Sequence, residues 1–187
     1  MSRRRRPSRT GVGRVTGTSC RERAAFLRTA EDYQLRKLTA EQCETHWLGP
    51  GPASEQTIAA TEARLGTRLP PSLRTFLSVT DGWYGVGGWI ELVRPCRKID
   101  WLRNTASGER LIELYSEADR QDELADLFRN ALMIAGGEDL WLLDPTDVRP
   151  DGEWAAHEFE PKYGEAERYA GFSALFHASM LLMTEEG

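Results

Sequence analysis

The sequence predicts an α+β fold in which helices bracket an antiparallel strand meander. Three observations predict it. Residues 58–84, IAATEARLGTRLPPSLRTFLSVTDGWY, read as helix, tight turn, helix, stop. Residues 131–159 hold three short apolar runs separated by turn chemistry. The stretch after Tyr169 carries apolar residues at helical spacing and closes the chain.

In the opening pair, Ile58, Glu62 and Leu65 recur at i, i+4 and i+7 beside Ala59, a face apolar except for Glu62. Ser54 has the chemistry of an N-cap. Gly66 ends the first helix, and Leu69-Pro70-Pro71 forces an extended approach to the second, because proline suits a first turn but restricts its predecessor. Leu73, Phe76, Leu77 and Thr80 mark the inner face of the second helix. Asp81-Gly82 closes it.

The chain has 187 residues, 40% of them hydrophobic, which allows one domain with a core. Three blocks are expected: an Arg-rich disordered arm over 1–18, a helical extension over 19–50 and the folded domain over 51–187. No apolar run approaches the roughly 20 residues that cross a bilayer, and no hydrophobic stretch follows Arg3 to Arg6, so the protein is expected to stay in the cytoplasm, away from membranes. Cys20, Cys43 and Cys96 are scattered and odd in number, which fits reduced thiols. The net charge of -5 hides an asymmetry: residues 1–23 hold eight Arg and one Glu, whereas residues 109–167 hold five basic and seventeen acidic residues. An acidic second half attracts a basic partner and repels nucleic acid.

The arm, RRRRPSR and onward, has little to bury, and nucleic-acid binding is not expected except through residues 3–14; a solvated tail is the plainer reading. Ser19 to Glu22 and Thr39 to Gln42 have capping-box spacing and start helices to about Leu38 and Trp47. Gly49-Pro50-Gly51-Pro52 then reads as a linker. Cys43 and His46 are three apart but lack a second ligand pair, so no metal is expected.

Beyond the helical pair, Gly85 to Gly88 reads as a flexible loop into a strand from Trp89 to Arg94. No Lys-Ser/Thr ending follows these glycines, and no cofactor is expected. Ile99 to Leu102 is a short aromatic element. Ser107 to Asn130 is helical, with a break at Asp119 to Asp122. Ala131 to Ala135, Leu140 to Leu143 and Trp154 to Phe159 are strands, the second central and the third half-exposed, with Asp144 to Gly152 a loop. Glu165 to Tyr169 leads into the last helix, whose inner face is Phe172, Leu175, Phe176, Ser179 and Met183.

Chemistry is sparse. His46, His157 and His177 stand beside no pattern that marks a triad or a metal hydrolase, and paired acids in polar loops read as turn residues, so no catalytic residue is expected. The informative constellation is Glu138 to Glu160, eight acids opposed only by Arg149 and interleaved with Trp141 and Trp154. Acids steer a cationic partner while aromatics anchor it. A solvated acidic face with both tryptophans in the core is the other reading of the same residues.

These residues resemble a known family. The pattern I-x-x-x-E-x-x-L-G-x-x-L-P-P-S-x-R-x-F-L with its terminal D-G, carried by Ile58, Glu62, Leu65, Gly66, Leu69, Pro70, Arg74, Phe76, Leu77, Asp81 and Gly82, resembles the signature of the SUKH superfamily. Ile99-Asp100-Trp101, Leu142-Leu143-Asp144, Gly152-Glu153-Trp154 and Tyr169-x-x-Phe172 follow in family order. The resemblance covers about residues 54–177. It implies helices packed around a twisted, mainly antiparallel sheet, and a binding protein without catalytic residues. Members include bacterial immunity proteins that neutralise a cognate toxin, often a nuclease, and fungal regulators of cell-wall synthesis. The partner implied here is a protein toxin such as a basic nuclease, with contacts expected from Asp81, Trp83, Tyr84, Asp100, Trp101, Glu138, Asp139, Asp144, Asp147, Asp151, Glu153 and Trp154. A regulatory scaffold or adaptor, associated with nucleic acid through the arm, is the alternative.

Overall fold

The computed structural model describes residues 40–45, 47, 49–87, 89–116 and 122–185. The Arg-rich arm, the helix expected over 19–38, His46 and residues 119–121 of the break expected at Asp119 to Asp122 lie outside them. Helix α1 (Ala40–Thr45) precedes the opening pair.

The pair forms as its caps and breakers require. Ser54 caps α2 (Glu55–Leu65), its Oγ accepting the Thr57 amide at 3.1 Å, and Gly66 leaves the helix at φ 72°. Pro71 then starts α3 (Pro71–Leu77). Glu62, the odd acid on the apolar face of α2, joins the two. Its Oε1 accepts the Leu69 amide at 2.9 Å, and its Oε2 pairs with Arg74 at 2.6 Å. Arg74 also reaches Glu55. Burial alone would raise the Glu62 pKa, but the Arg74 hydrogen bond, the Leu69 amide and the Arg74 charge outweigh it and hold the carboxyl below its ordinary value.

The Gly-Pro stretch read as a linker lies against the domain. Thr80 Oγ1 donates to Pro50 O at 2.9 Å, the Asp81 amide to Gly51 O at 2.9 Å and the Ala53 amide to Leu77 O at 2.9 Å. The Trp47 ring meets Trp83 edge-on, centroids 5.0 Å apart.

One seven-stranded sheet follows, antiparallel at every pairing: β1 (Trp83–Gly87), β2 (Ile90–Val93), β3 (Asp100–Trp101), β4 (Leu132–Gly137), β5 (Leu140–Val148), β6 (Trp154–Glu160) and β7 (Glu165–Tyr169). The order is β1-β2-β4-β5-β6-β7. β3 pairs with the first residues of β4, so β2 and β3 lie end to end along one strand. Alternate side chains feed two cores. Leu132, Ile134, Trp141, Leu143, Trp154 and Ala156 face α2, α3 and the closing helix α6 (Phe172–Glu185), with Phe76, Phe172 and Phe176 packed together. Met133, Leu140, Leu142 and Phe159 face α4 (Ala106–Ser116) and α5 (Asp122–Asn130), with Tyr115 and Phe128 against Phe159. The fold is α+β, its helices packed on both faces of the sheet.

Four local expectations change. Gly85 and Val86, expected in a loop, lie in β1, with a bulge between Tyr84 and Gly87. β5 runs on to Val148 rather than ending at Leu143; Pro145 has no amide to donate and the register shifts there, which disguised the strand. Glu165 to Tyr169 is the edge strand β7, whose charged residues suit an edge and hid it. β6 is covered on both faces rather than half-exposed, because its alanines and Phe159 lie under helices.

Two substitutions test this architecture by urea unfolding. Glu62→Gln keeps an acceptor for Leu69 but loses the charged pair, and should cost about 1–3 kcal/mol at neutral pH. Because the folded-state pKa of Glu62 is lowered, its contribution is full above the ordinary carboxylate value of 4.5 and fades as pH falls through the lowered one, so the deficit of the variant should shrink in acid. Gly108 leaves no room for a side chain: a Cβ there would lie 1.8 Å from Leu102 O. Gly108→Ala should lower the unfolding free energy by more than about 2 kcal/mol, read as a fall in the urea midpoint. Unchanged midpoints would remove either residue from this account.

Candidate partner-binding surface

The register separates the acids that sequence reasoning grouped. The β1–β2, β4–β5 and β6–β7 turns share one end of the sheet, at the level of Gly87, Ile90, Leu140, Phe159 and Glu165. The β5–β6 turn lies at the other end, while β3, level with Leu142 and Leu143, lies between the two. The nine residues of β5 put roughly 30 Å between the three turns and the β5–β6 turn.

At the three-turn end, Glu138 is exposed and Asp139 is buried, and both amides donate to Trp89 O, at 2.9 and 3.3 Å. Trp89 is 62% exposed and Tyr163, in the β6–β7 turn, 63%. Sequence reasoning passed over both, because a turn aromatic has no periodic pattern to mark it.

Toward the opposite end lie Asp147, Asp151 and Glu153, with Asp100, Trp101 and Asp144 nearer the middle of the sheet. Each acid has a local task. Asp100 Oδ1 accepts the Trp101 amide and Asn104 Nδ2, both at 2.8 Å. Asp144 Oδ1 accepts the Thr146 amide at 2.8 Å and its hydroxyl at 2.7 Å. Asp147 Oδ2 accepts Arg168 Nε and Nη2 at 2.8 and 2.6 Å. Asp151 Oδ1 accepts the Glu153 amide at 3.2 Å while its Oδ2 pairs with Arg149 at 3.0 Å. Glu153 reaches across to α3, Oε1 accepting the Ser72 amide and Oε2 the Ser72 hydroxyl, both at 2.7 Å. The Trp101 indole donates to Leu65 O at 3.3 Å beneath the Arg103 guanidinium.

The remaining candidates lie elsewhere. Asp81 Oδ1 accepts the Cys96 amide at 2.6 Å, a half-buried tether. Burial, and then Asp81 beside it, push the Cys96 thiol up to about 12, so it is no thiolate nucleophile at neutral pH. Trp83, with 0% exposure, and Trp154, with 6%, are core residues, as is Trp141, whose indole donates to Glu158 at 3.2 Å. Tyr84, on the outer strand β1, is 55% exposed.

A cavity of about 240 Å³ opens between α3, the β5–β6 turn and the start of α6, lined among others by Ser72, Arg149, Asp151, Glu153 and Ser173. Of these, Arg149 was visible in the sequence as the lone cation among acids. Ser72 and Ser173 carried no signal, because their neighbours come from strands and helices far along the chain. Among the described residues, no group of three or more His, Cys, Asp or Glu is placed to hold a metal ion, and no helix is long and apolar enough to cross a membrane.

The sequence profile of the SMI1 / KNR4 family (SUKH-1) matches residues 52–176 of the chain. No curated protein matches it.

His157 sits on β6 between Leu142 and Arg168, its Nε2 buried without a hydrogen-bond partner. Burial foremost lowers its pKa from 6.5; Asp144 and Asp147 oppose the shift and Arg168 adds to it. The neutral ring is therefore the folded form. Above about pH 6.5 its contribution is full; as pH falls below that, the unfolded chain takes up the proton first and stability drops. His157→Gln should flatten this part of the profile, measured as the urea midpoint at pH 8 against pH 5.5. Parallel profiles for the two proteins would show that His157 does not report acidification.

Proposed function

The chain belongs to the SMI1 / KNR4 family (SUKH-1), and from that premise we propose that it is a protein-binding module without a catalytic role, an immunity protein that neutralises a cognate toxin by direct binding in the cytoplasm. Family membership carries this reading. The acidic surplus of residues 109–167 supports a basic partner, such as a nuclease. We assign the contact to the surface that runs from Asp100, Trp101 and Asp144 to Asp147, Asp151 and Glu153 at the β5–β6 turn, because its carboxylates are held at fixed positions and an open cavity lies at its turn end. Each is tied to a backbone amide or an arginine, which limits the side-chain freedom lost when a partner binds.

The test is protection. A toxin-like protein, sought in the gene next to that of this chain, is expressed with and without it, growth is followed, and binding of the purified pair is titrated at several salt concentrations. Growth rescue is expected, with an affinity that weakens as salt rises. The double variant Asp147→Lys, Asp151→Lys should bind roughly tenfold more weakly or worse, whereas Trp89→Ala, at the far end, should bind normally. If Trp89→Ala alone abolishes binding, the contact lies on the three-turn end and the surface assignment is wrong. If there is neither rescue nor binding, the immunity reading falls, and loss of a nucleic-acid complex on replacing Arg3 to Arg6 by Gln would favour the adaptor.

A further inference from the structure

We propose that the cavity between α3, the β5–β6 turn and α6 receives an arginine side chain of the protein partner. This rests on the protein-binding reading above and names the chemistry at its centre.

The cavity is not built for an anion. Glu153 already lies across the starts of both helices: it accepts the Ser72 amide and hydroxyl, and its Oε2 lies 3.3 Å from where a Cβ on Gly171 would stand. An incoming anion would meet that carboxylate, and Asp151 beside it. What the cavity offers is acceptors. Each Glu153 oxygen takes one hydrogen bond from Ser72 and keeps capacity for another, as does Asp151 Oδ1. A further polar group points to a missing guest. Ser173, on the cavity lining and 6% exposed, has a buried Oγ with no hydrogen-bond partner. A buried hydroxyl left unpaired is unfavourable, and turning it about the Cα–Cβ bond toward a polar guest in the cavity would relieve it.

The remaining lining selects the stem of that guest. Pro71, Ala170 and Ala174 present carbon surface, which suits a run of methylenes under a polar head. A guanidinium offers five donors in a flat fork, enough for two carboxylates and a hydroxyl at once; an ammonium concentrates its charge at one point. Arg149 holds Asp151 at 3.0 Å on the rim, so Arg149, Asp151 and Glu153 together carry one net negative charge, which one arginine neutralises.

The probe is N-acetyl-arginine methylamide, titrated into the isotope-labelled full chain by NMR. Saturable shifts are expected at the amides of residues 149, 151–153 and 170–174. The neutral citrulline analogue should bind roughly tenfold more weakly, since a charge-assisted contact is lost. Ala174→Leu, which fills the cavity from a helix, should abolish the shifts, and Glu153→Gln should weaken them. Because Glu153 also anchors α3, the urea midpoint of each variant is measured alongside, and Ala174→Leu decides if Glu153→Gln unfolds. Absence of shifts, or equal shifts with N-acetyl-norleucine methylamide or acetate, overturns the proposal. Toxin binding separates the two readings. A toxin bound equally well by wild type and Ala174→Leu sinks the arginine cavity alone, while arginine binding without any toxin binding sinks the immunity reading alone.

Discussion

The structure depends on a carboxylate placed where an apolar residue is expected. Glu62 lies on the buried face of α2, and it joins α2 to α3 by taking the Leu69 amide and the Arg74 guanidinium together. Leu69 precedes two prolines, so its amide cannot enter the next helix and would otherwise lose its partner. With the amide satisfied and Arg74 drawn back, the prolines set the direction of α3. That direction brings Ser72 to Glu153 on the β5–β6 turn. One ion pair thus fixes a helix junction, and the junction fixes one wall of the cavity.

The same device recurs through the chain. Asp81 takes the Cys96 amide, Asp100 its own neighbour's, Asp144 that of Thr146, Asp151 that of Glu153, and Glu153 that of Ser72. Short acidic side chains serve where the backbone leaves regular structure, because a carboxylate satisfies an amide that has no ladder partner. Much of the negative charge that looks like a surface field in the sequence therefore has a structural task.

This explains what was legible. The opening pair could be read because Ser54, Gly66 and the prolines act locally, and a local signal survives in sequence. The last helix and the central strand β5 were legible from apolar periodicity. β1 and β7 were not, since glycine and charge at a sheet edge mimic a loop, and Pro145 broke the apparent end of β5. In the candidate surface, the run Glu138 to Glu160 read as one patch only because sequence distance was taken for spatial distance. A nine-residue strand carries Glu138 to one end of the molecule and Asp151 to the other. Trp141 and Trp154 point into the core, where alternation along the strands puts them, while Trp89 and Tyr163 gain exposure from turns.

An acid that holds its own backbone is also a different binding group from one that waves in solvent. A long exposed glutamate must be immobilised when a partner arrives, and much of its attraction is lost to that ordering. Asp147 and Glu153 are already immobilised, the first by Arg168 and the second by Ser72. Their compensation is incomplete in direction: the partners occupy one side of each carboxylate and leave lone pairs on the other. A cation approaching from that side meets a fixed target, but only if its donors match positions set by the fold. Preorganisation of this kind gains selectivity at the expense of raw field strength.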